Sequence, residues 1–557
     1  MIKYTYFNCI WFSIIFTILF IPILLSEFLD ISFRISDHLS VTYFSLVSIL
    51  YFLGKTLFSI FNYYKFKKIN LLEIKKNLPV GVQITGWKED AELFEKTLLA
   101  LKLQTYKNIQ KIIFCSDGNE EDDLYLAQIF KKVFNDSLVL NLEKKYYDMN
   151  TIEREDLQNK TNPFKYVCLL QPHAGKRHGM YTQMKLLTNN ENIELIMLVD
   201  SDCIYDNKAI EILVRTNEYT DADIITGDVK IYNIDNLLSF LISLKFWFAF
   251  NFERAAQSYF GCVGCVPGPF GLYKKEPLKN IIDEWIDQKL LGKECTFGDD
   301  RHLTNLILIN KGKVFYNFLA KCYTDTPITV KRFATQQTRW GKSFLREYFI
   351  NIRSFRMDTL WLAFEQTFVF FIVYYVIYFM AINFYESNLD NILIIFASLI
   401  TFGYIRSFIA MFASGDISFI IFPLYTFLYF YILFPVKLWT LFTFNVTSWG
   451  TGNRLLRTSK IIDFLFIIIW FIFTSLCIVY SFFLEYPNYT IKQLFLLSYI
   501  ILNIIFLNVM FYCYFFKKIK YKLNNILNDI TKYEEMEEKI IDIEEYECDK
   551  VDILIIE

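Results

Sequence analysis

The chain has 557 residues, 54% of them hydrophobic, 19% aromatic and 21% charged, with a formal net charge of −2. That length allows two or more domains. The apolar and aromatic excess calls for helices in lipid, whereas the charged fraction excludes a bare membrane bundle. The near-neutral balance gives no reason to expect a nucleic-acid partner. The eleven cysteines follow no framework spacing, so reduced thiols are expected rather than disulfides.

Apolar runs near the ~20 residues a bilayer demands are predicted at 9–29, 41–61, 359–384, 391–414, 461–484 and 493–516. No small-residue cleavage site follows the first, which is therefore read as a span and not a signal peptide. A further apolar stretch, 417–440, contains Pro423 and Pro435. The positions of Lys65, Lys67, Lys68, Arg353, Arg356, Arg454, Arg457 and Lys517 decide its role. With about six crossings all of these lie on the cytosolic side, together with both termini; with one more, Arg454 and the basic tail would face the side opposite Lys65 and Arg353. The stretch 417–440 is therefore predicted as re-entrant or interfacial. Glu365 and Arg406 fall inside spans at similar depth and are expected to pair or to line a polar path.

Between the second and third spans, residues 70–330 alternate strand and helix patterns. Val80–Thr85, Lys111–Cys115, Tyr166–Gln171 and Leu195–Val199 read as strands, with helices near 90–104, 120–134, 178–189 and 207–219. That alternation predicts an α/β domain with a mostly parallel sheet, and ligands in such sheets sit at the carboxyl ends of strands. Residues 135–165 show no pattern and are expected as a surface insert.

The strand ends carry the chemistry. Asp200-Ser201-Asp202 can bring two carboxylates to one hard divalent cation, or form a solvated turn. Asp117 can take a base N–H or a ribose hydroxyl, or stabilise its own turn. His173-Ala174-Gly175-Lys176-Arg177-His178 places cations on a glycine turn at a helix start, which suits phosphate but also describes an ordinary basic loop. Asp299-Asp300-Arg301-His302 can supply a general base or an N-cap. Gln336-Gln337-Thr338-Arg339-Trp340 offers a flat ring and hydrogen bonds to a sugar, and its amphipathic stretch 331–350 can also rest on a membrane surface. The aromatic stretch 239–258 reads as a second interfacial helix. Trp449 to Arg454 forms either a lid or a plain loop.

The order of these motifs, with Trp247 to Ala255, Gln257 to Cys262 and Cys295 to Thr304 between them, resembles the inverting, processive glycosyltransferases that include cellulose, chitin and hyaluronan synthases. Within that group the chain is most similar to the class I hyaluronan synthases, from about residue 80 to 460.

The resemblance implies a cytosolic GT-A-type domain at 66–350 with interfacial helices at 239–258 and 331–350. It also implies two N-terminal transmembrane helices within 1–65, a channel region at 351–516 with a lid loop at 445–458, and a cytosolic tail at 517–557. Asp117 would contact uridine and Lys176 the nucleotide or the sugar. Asp202, supported by Asp200, would ligate Mn²⁺ or Mg²⁺. Asp300 would be the general base, with Asp299 and Arg301 beside the substrate. Gln336, Arg339 and Trp340 would hold the acceptor sugar and the diphosphate, and Trp449 and Arg454 would belong to the lid. Cys265, Gly268, Pro269 and Cys295 would line the acceptor pocket. UDP-GlcNAc and UDP-glucuronate would be used in turn, and the nascent polysaccharide would cross the bilayer, by expectation the plasma membrane. Two positions depart from the family: Pro267 stands where a serine is usual, and the lid reads Trp-Gly-Thr-Gly-Asn-Arg rather than Trp-Gly-Thr-Ser-Gly-Arg. Chitin synthases, using UDP-GlcNAc alone, are the nearest rival; a transporter with a nucleotide-binding domain would need neither Asp300 nor Trp340.

Overall fold

The structure, a computed structural model, describes residues 32–36, 39–385, 389–446, 465–474, 476 and 554–556. The expected spans 9–29 and 493–516, and Trp449 and Arg454 of the expected lid, lie outside the described residues.

A ten-stranded sheet organises the polar domain. Its centre is Val80–Gly86, flanked in parallel by Ile109–Ser116 and Leu195–Asp200. Tyr166–Leu170 and then Leu138–Leu142 continue in parallel on one side. On the other side Phe270–Lys274 runs antiparallel to both its neighbours, Leu195–Asp200 and Ile224–Ile231, and Val314–Thr324 then lies parallel to the latter. All of Val80–Gly86 is buried, as expected of a strand covered on both faces, which is why it reads as a continuous apolar run.

Residues 135–165 are not a surface insert. They supply strand Leu138–Leu142 and helix Thr151–Thr161. The strand is short, and the helix buries only Leu157 and Thr161, so neither carries the apolar periodicity that sequence reading depends on. An Asn150–Glu153 capping box starts that helix instead.

Helix Lys176–Thr188 presses directly on the central strand. A Cβ on Gly179 would meet Thr85 Cγ2 at 2.8 Å. Gln183 accepts from Ile84 N at 2.9 Å and donates to Thr85 Oγ1 at 2.7 Å. This close seating brings the helix start, with Lys176, to the carboxyl end of the sheet.

Among the described residues, Leu46–Ile69, Met357–Asn383 and Ile417–Thr443 are long and apolar enough to cross a bilayer by length and composition. Helix Tyr43–Ile69 turns Leu46, Ile49, Leu50, Leu53 and Leu57 outward and buries Phe52, Lys55 and Phe66. The stretch expected as re-entrant, 417–440, is helical throughout, passing through 3₁₀ and π turns around Pro423 and before Pro435. Its aromatics pack on the helix Leu237–Phe248, with Phe422 4.5 Å from Phe248. Glu365 does not take Arg406 as its partner. It pairs with Lys55 at 2.7 Å, while the Arg406 guanidinium lies 4.5 Å over Phe248 and 5.2 Å over Phe422. The helical rise and register of three packed segments set this pairing, and depth along one span does not reveal them.

Candidate active site

The ends of strands Ile109–Ser116 and Leu195–Asp200 meet the starts of helices Lys176–Thr188 and Asp299–Ile309 here. Asp200 closes strand Leu195–Asp200, and its Oδ1 accepts from Lys176 Nζ across the sheet. Burial works against the Lys176 charge, but the Asp200 carboxylate, and beyond it Asp299 and Asp300, raise its pKa above the ordinary lysine value. Asp202 is buried, and its Oδ1 accepts from Cys203 Sγ at 3.4 Å. Tyr205 OH donates to Pro269 O at 2.8 Å, fastening the 267–269 turn beside the Asp200 strand end. A Cβ on Gly268 would lie 3.3 Å from Asp200 Oδ2, so the 267–269 turn passes close against that carboxylate.

Asp117 is buried at the end of Ile109–Ser116. Its carboxylate accepts from Ala174 N at 2.9 Å and Gly175 N at 2.8 Å, and His173 Nδ1 lies 2.9 Å away. The Asp117 hydrogen bond raises the His173 pKa. His173 in turn stacks on Trp87 with centroids 4.1 Å apart. In this conformation Asp117 braces the glycine turn that starts helix Lys176–Thr188, and Trp87 and His173 present the flat surface beside it.

The acidic motif begins helix Asp299–Ile309 behind Gly298, whose φ is +80°. A Cβ on Gly298 would come within 2.3 Å of Ser343 Oγ and 2.6 Å of Arg346 Nη2, so the turn rests directly on helix Val330–Asn351. That contact brings the acidic motif against the helix carrying Gln336, Arg339 and Trp340. Asp300 Oδ1 accepts from Arg301 N at 2.8 Å, and Cys265 Sγ lies 3.7 Å from Oδ2. Burial, and then the Asp300 charge, push the Cys265 thiol up to about 11, which keeps it protonated and neutral. Cys295 is buried, and burial raises its thiol as well. Arg301 lies 5.5 Å over Phe344. Trp340 is 40% exposed and its ring is 6.3 Å from Phe246 on helix Leu237–Phe248, so the two expected interfacial helices meet at this ring.

Asp299, expected beside the substrate, has its carboxylate taken by the buried Arg177. Arg177, read from the sequence as a phosphate-suited cation, is turned instead onto Asp299, and sequence reading missed Gln288 and Glu347 as its neighbours. The spacing of Arg339, Ser343, Arg346 and Glu347 on one helical side was the available signal.

Among the described residues no group of three or more His, Cys, Asp or Glu gathers as a metal site. Asp200 and Asp202 still suit a small divalent cation, because such ions take hard oxygen ligands and draw the remainder from phosphates and water.

The family described as glycosyltransferase like family 2 matches residues 153–343. Hyaluronan synthase 2 of Xenopus laevis is 35% identical over 434 residues, covering 76% of this chain and 78% of that protein. Human hyaluronan synthase 2 is 33% identical over 75% of this chain and 77% of that protein. Mouse hyaluronan synthase 3 is 34% identical over 70% and 72%. A solved mannosyltransferase, PcManGT from Pyrobaculum calidifontis in complex with GDP-Man and Mn²⁺, superposes only loosely, with a TM-score of 0.36 and 13% identity over 58% of this chain and 80% of that one. The sheet, the strand-end carboxylates and the family match define a membrane-associated glycosyltransferase of the GT-A type. Identity above 30% across three quarters of the chain goes further: the chain belongs to the hyaluronan synthase family.

Proposed function

We propose that this protein builds hyaluronan, alternating GlcNAc and glucuronate from their UDP-sugars, and passes the polymer through its own membrane helices. The observation that carries this reading is that one short loop abuts both carboxylates: Cys265 Sγ lies 3.7 Å from Asp300 Oδ2, and a Cβ on Gly268 would lie 3.3 Å from Asp200 Oδ2. A leaving diphosphate at the Asp200–Asp202 strand end and an acceptor hydroxyl at Asp300 would then lie on two sides of that loop.

Asp300 takes the proton of the acceptor hydroxyl. The resulting oxygen attacks the anomeric carbon from the face opposite UDP, the bond to the diphosphate breaks, and UDP leaves, so the new linkage is β. Asp202, with Asp200, would hold Mn²⁺ or Mg²⁺, which offsets charge on the departing diphosphate when bound. Asp117 and the Trp87–His173 pair would position the nucleotide. Gln336, Arg339 and Trp340 would hold the acceptor sugar, with Cys265, Gly268, Pro269 and Cys295 around it. Trp449 and Arg454 would close over UDP. The architecture in this reading is a pair of N-terminal spans within 1–65, a catalytic domain at 66–350, a channel at 351–516 and a tail at 517–557. The catalytic domain and both termini face the cytosol, at the plasma membrane, with 417–440 re-entrant or interfacial.

The test is a product assay on the purified full chain in detergent, with each UDP-sugar alone, both together, and both with a chelator. Polymer is expected only with both donors and metal, and a hyaluronan-specific lyase should digest it. Polymer from UDP-GlcNAc alone that chitinase removes would replace this reading with chitin synthesis.

A further inference from the structure

A buried polar network surrounds the Asp300 turn, and the reaction chemistry makes no direct use of it. Arg177, Asp299, His302, Arg346 and Glu347 are each less than nine per cent exposed. Glu347 is the hub. Its Oε1 accepts from Gln288 Nε2 at 2.5 Å and Arg346 Nε at 3.1 Å; its Oε2 accepts from Asn305 Nδ2 at 3.1 Å and lies 3.0 Å from His302 Nδ1. A carboxylate has no proton to give, so His302 Nδ1 carries the hydrogen in that bond. Gln288 Oε1 accepts from Arg177 Nη2 at 2.7 Å, and Arg177 Nε donates to Asp299.

The turn's main chain is also gripped before the base and at it. Arg346 Nη2 donates to Phe297 O at 2.7 Å and Trp285 Nε1 to Asp299 O at 3.0 Å. Thr304 Oγ1 donates to Asp300 O at 2.8 Å. Arg177 immediately follows Lys176, the donor-side cation, and Glu347 sits on the helix that carries Gln336, Arg339 and Trp340. Burying two guanidinium groups and two carboxylates brings no stability advantage over apolar packing of similar volume, so the arrangement calls for a positional explanation.

We infer that Glu347, acting through Gln288 and Arg177, is a positioning residue that holds Asp300 in register between the donor-side helix and the acceptor-side helix. The inference rests on the reading of Asp300 as the base. A displacement of the base by ~1 Å costs on the order of 100-fold in rate while leaving nucleotide contacts in place.

The experiment uses the full chain in detergent and measures kcat per UDP-binding site, KM for both UDP-sugars, and UDP affinity. The variants are Glu347→Gln, Arg177→Lys and their combination, with Asp300→Asn in parallel. Each single variant is expected to lose on the order of 100-fold in kcat per site, with KM and UDP affinity within about two-fold of the parent. The double variant is expected to lose little more than the worse single variant, because both cut one chain of contacts. A role in folding alone would lower the number of UDP sites and leave kcat per site intact. Parental kcat per site in either single variant, or losses that multiply in the double, would overturn the inference. Should Glu347→Gln yield no folded protein, Arg177→Lys, which keeps the charge beside Asp299, decides alone by the same kcat criterion. Normal turnover in Asp300→Asn would instead remove the base assignment, a different failure from normal turnover in the network variants.

Discussion

Lys55 Nζ lies 2.7 Å from Glu365 Oε1, and both side chains are at least nine-tenths buried between helices Tyr43–Ile69 and Leu360–Tyr385. Tyr51 OH donates to the same oxygen at 3.0 Å, and Gln257 Nε2 donates to Oε2 at 2.8 Å. A partnered pair of this kind ties these two helices to each other and, through Gln257, to the segment that follows helix Leu237–Phe248. Glu365→Leu should therefore destabilise the protein by about 3–5 kcal/mol, because it strands a buried ammonium, while Lys55→Leu combined with Glu365→Leu should recover most of that loss. Thermal unfolding of the three variants in detergent reads this directly.

Asp300→Asn keeps the size of the side chain and removes its basicity. UDP release from the two sugar donors should fall by at least ~100-fold, with UDP affinity retained, since the base is expected to touch the acceptor and not the nucleotide. Single-turnover measurement alongside UDP titration separates the two quantities.

Gly298→Ala places a Cβ at φ +80°, 2.3 Å from Ser343 Oγ. The left-handed backbone alone costs about 1 kcal/mol for a residue with a side chain, and the contact adds to it by pushing helix Val330–Asn351 off the turn. Lower thermal stability together with a reduced kcat is expected. An unchanged melting midpoint and unchanged turnover would contradict the close packing seen here.

Glu347 sets a pH dependence. Burial opposes its charge, but the His302 hydrogen bond and the charges of His302 and Arg346 hold the carboxyl down at about 2, against an ordinary 4.5. A group depressed on folding stabilises the folded state above its unfolded pKa, and that contribution fades as pH falls through the folded value. The stability gap between the parent and Glu347→Gln should be full at pH 5 and above and should narrow between pH 4.5 and 2, as followed by unfolding at stepped pH.

Much of the site was legible before any coordinates. The apolar runs ending at Ser116, Leu170 and Asp200 are local signals, and each delivered its polar residue to the carboxyl end of the sheet. Strand Leu138–Leu142 was not legible, because five residues beside a polar helix carry too little periodicity. Strand Phe270–Lys274 was equally hidden; its neighbours in the sheet are remote in sequence.

The amino-acid sequence by itself determined which residues stand at the strand ends and which segments suit lipid. These properties depend on runs of a few to ~20 neighbouring residues, where periodicity and hydropathy act. Only the tertiary structure decided partners. Arg177 meets Asp299 across 122 positions, and Tyr51 meets Glu365 across 314. A buried charge must find a counter-charge, but which one it finds depends on how separate helices and strands pack, and local composition holds no record of that.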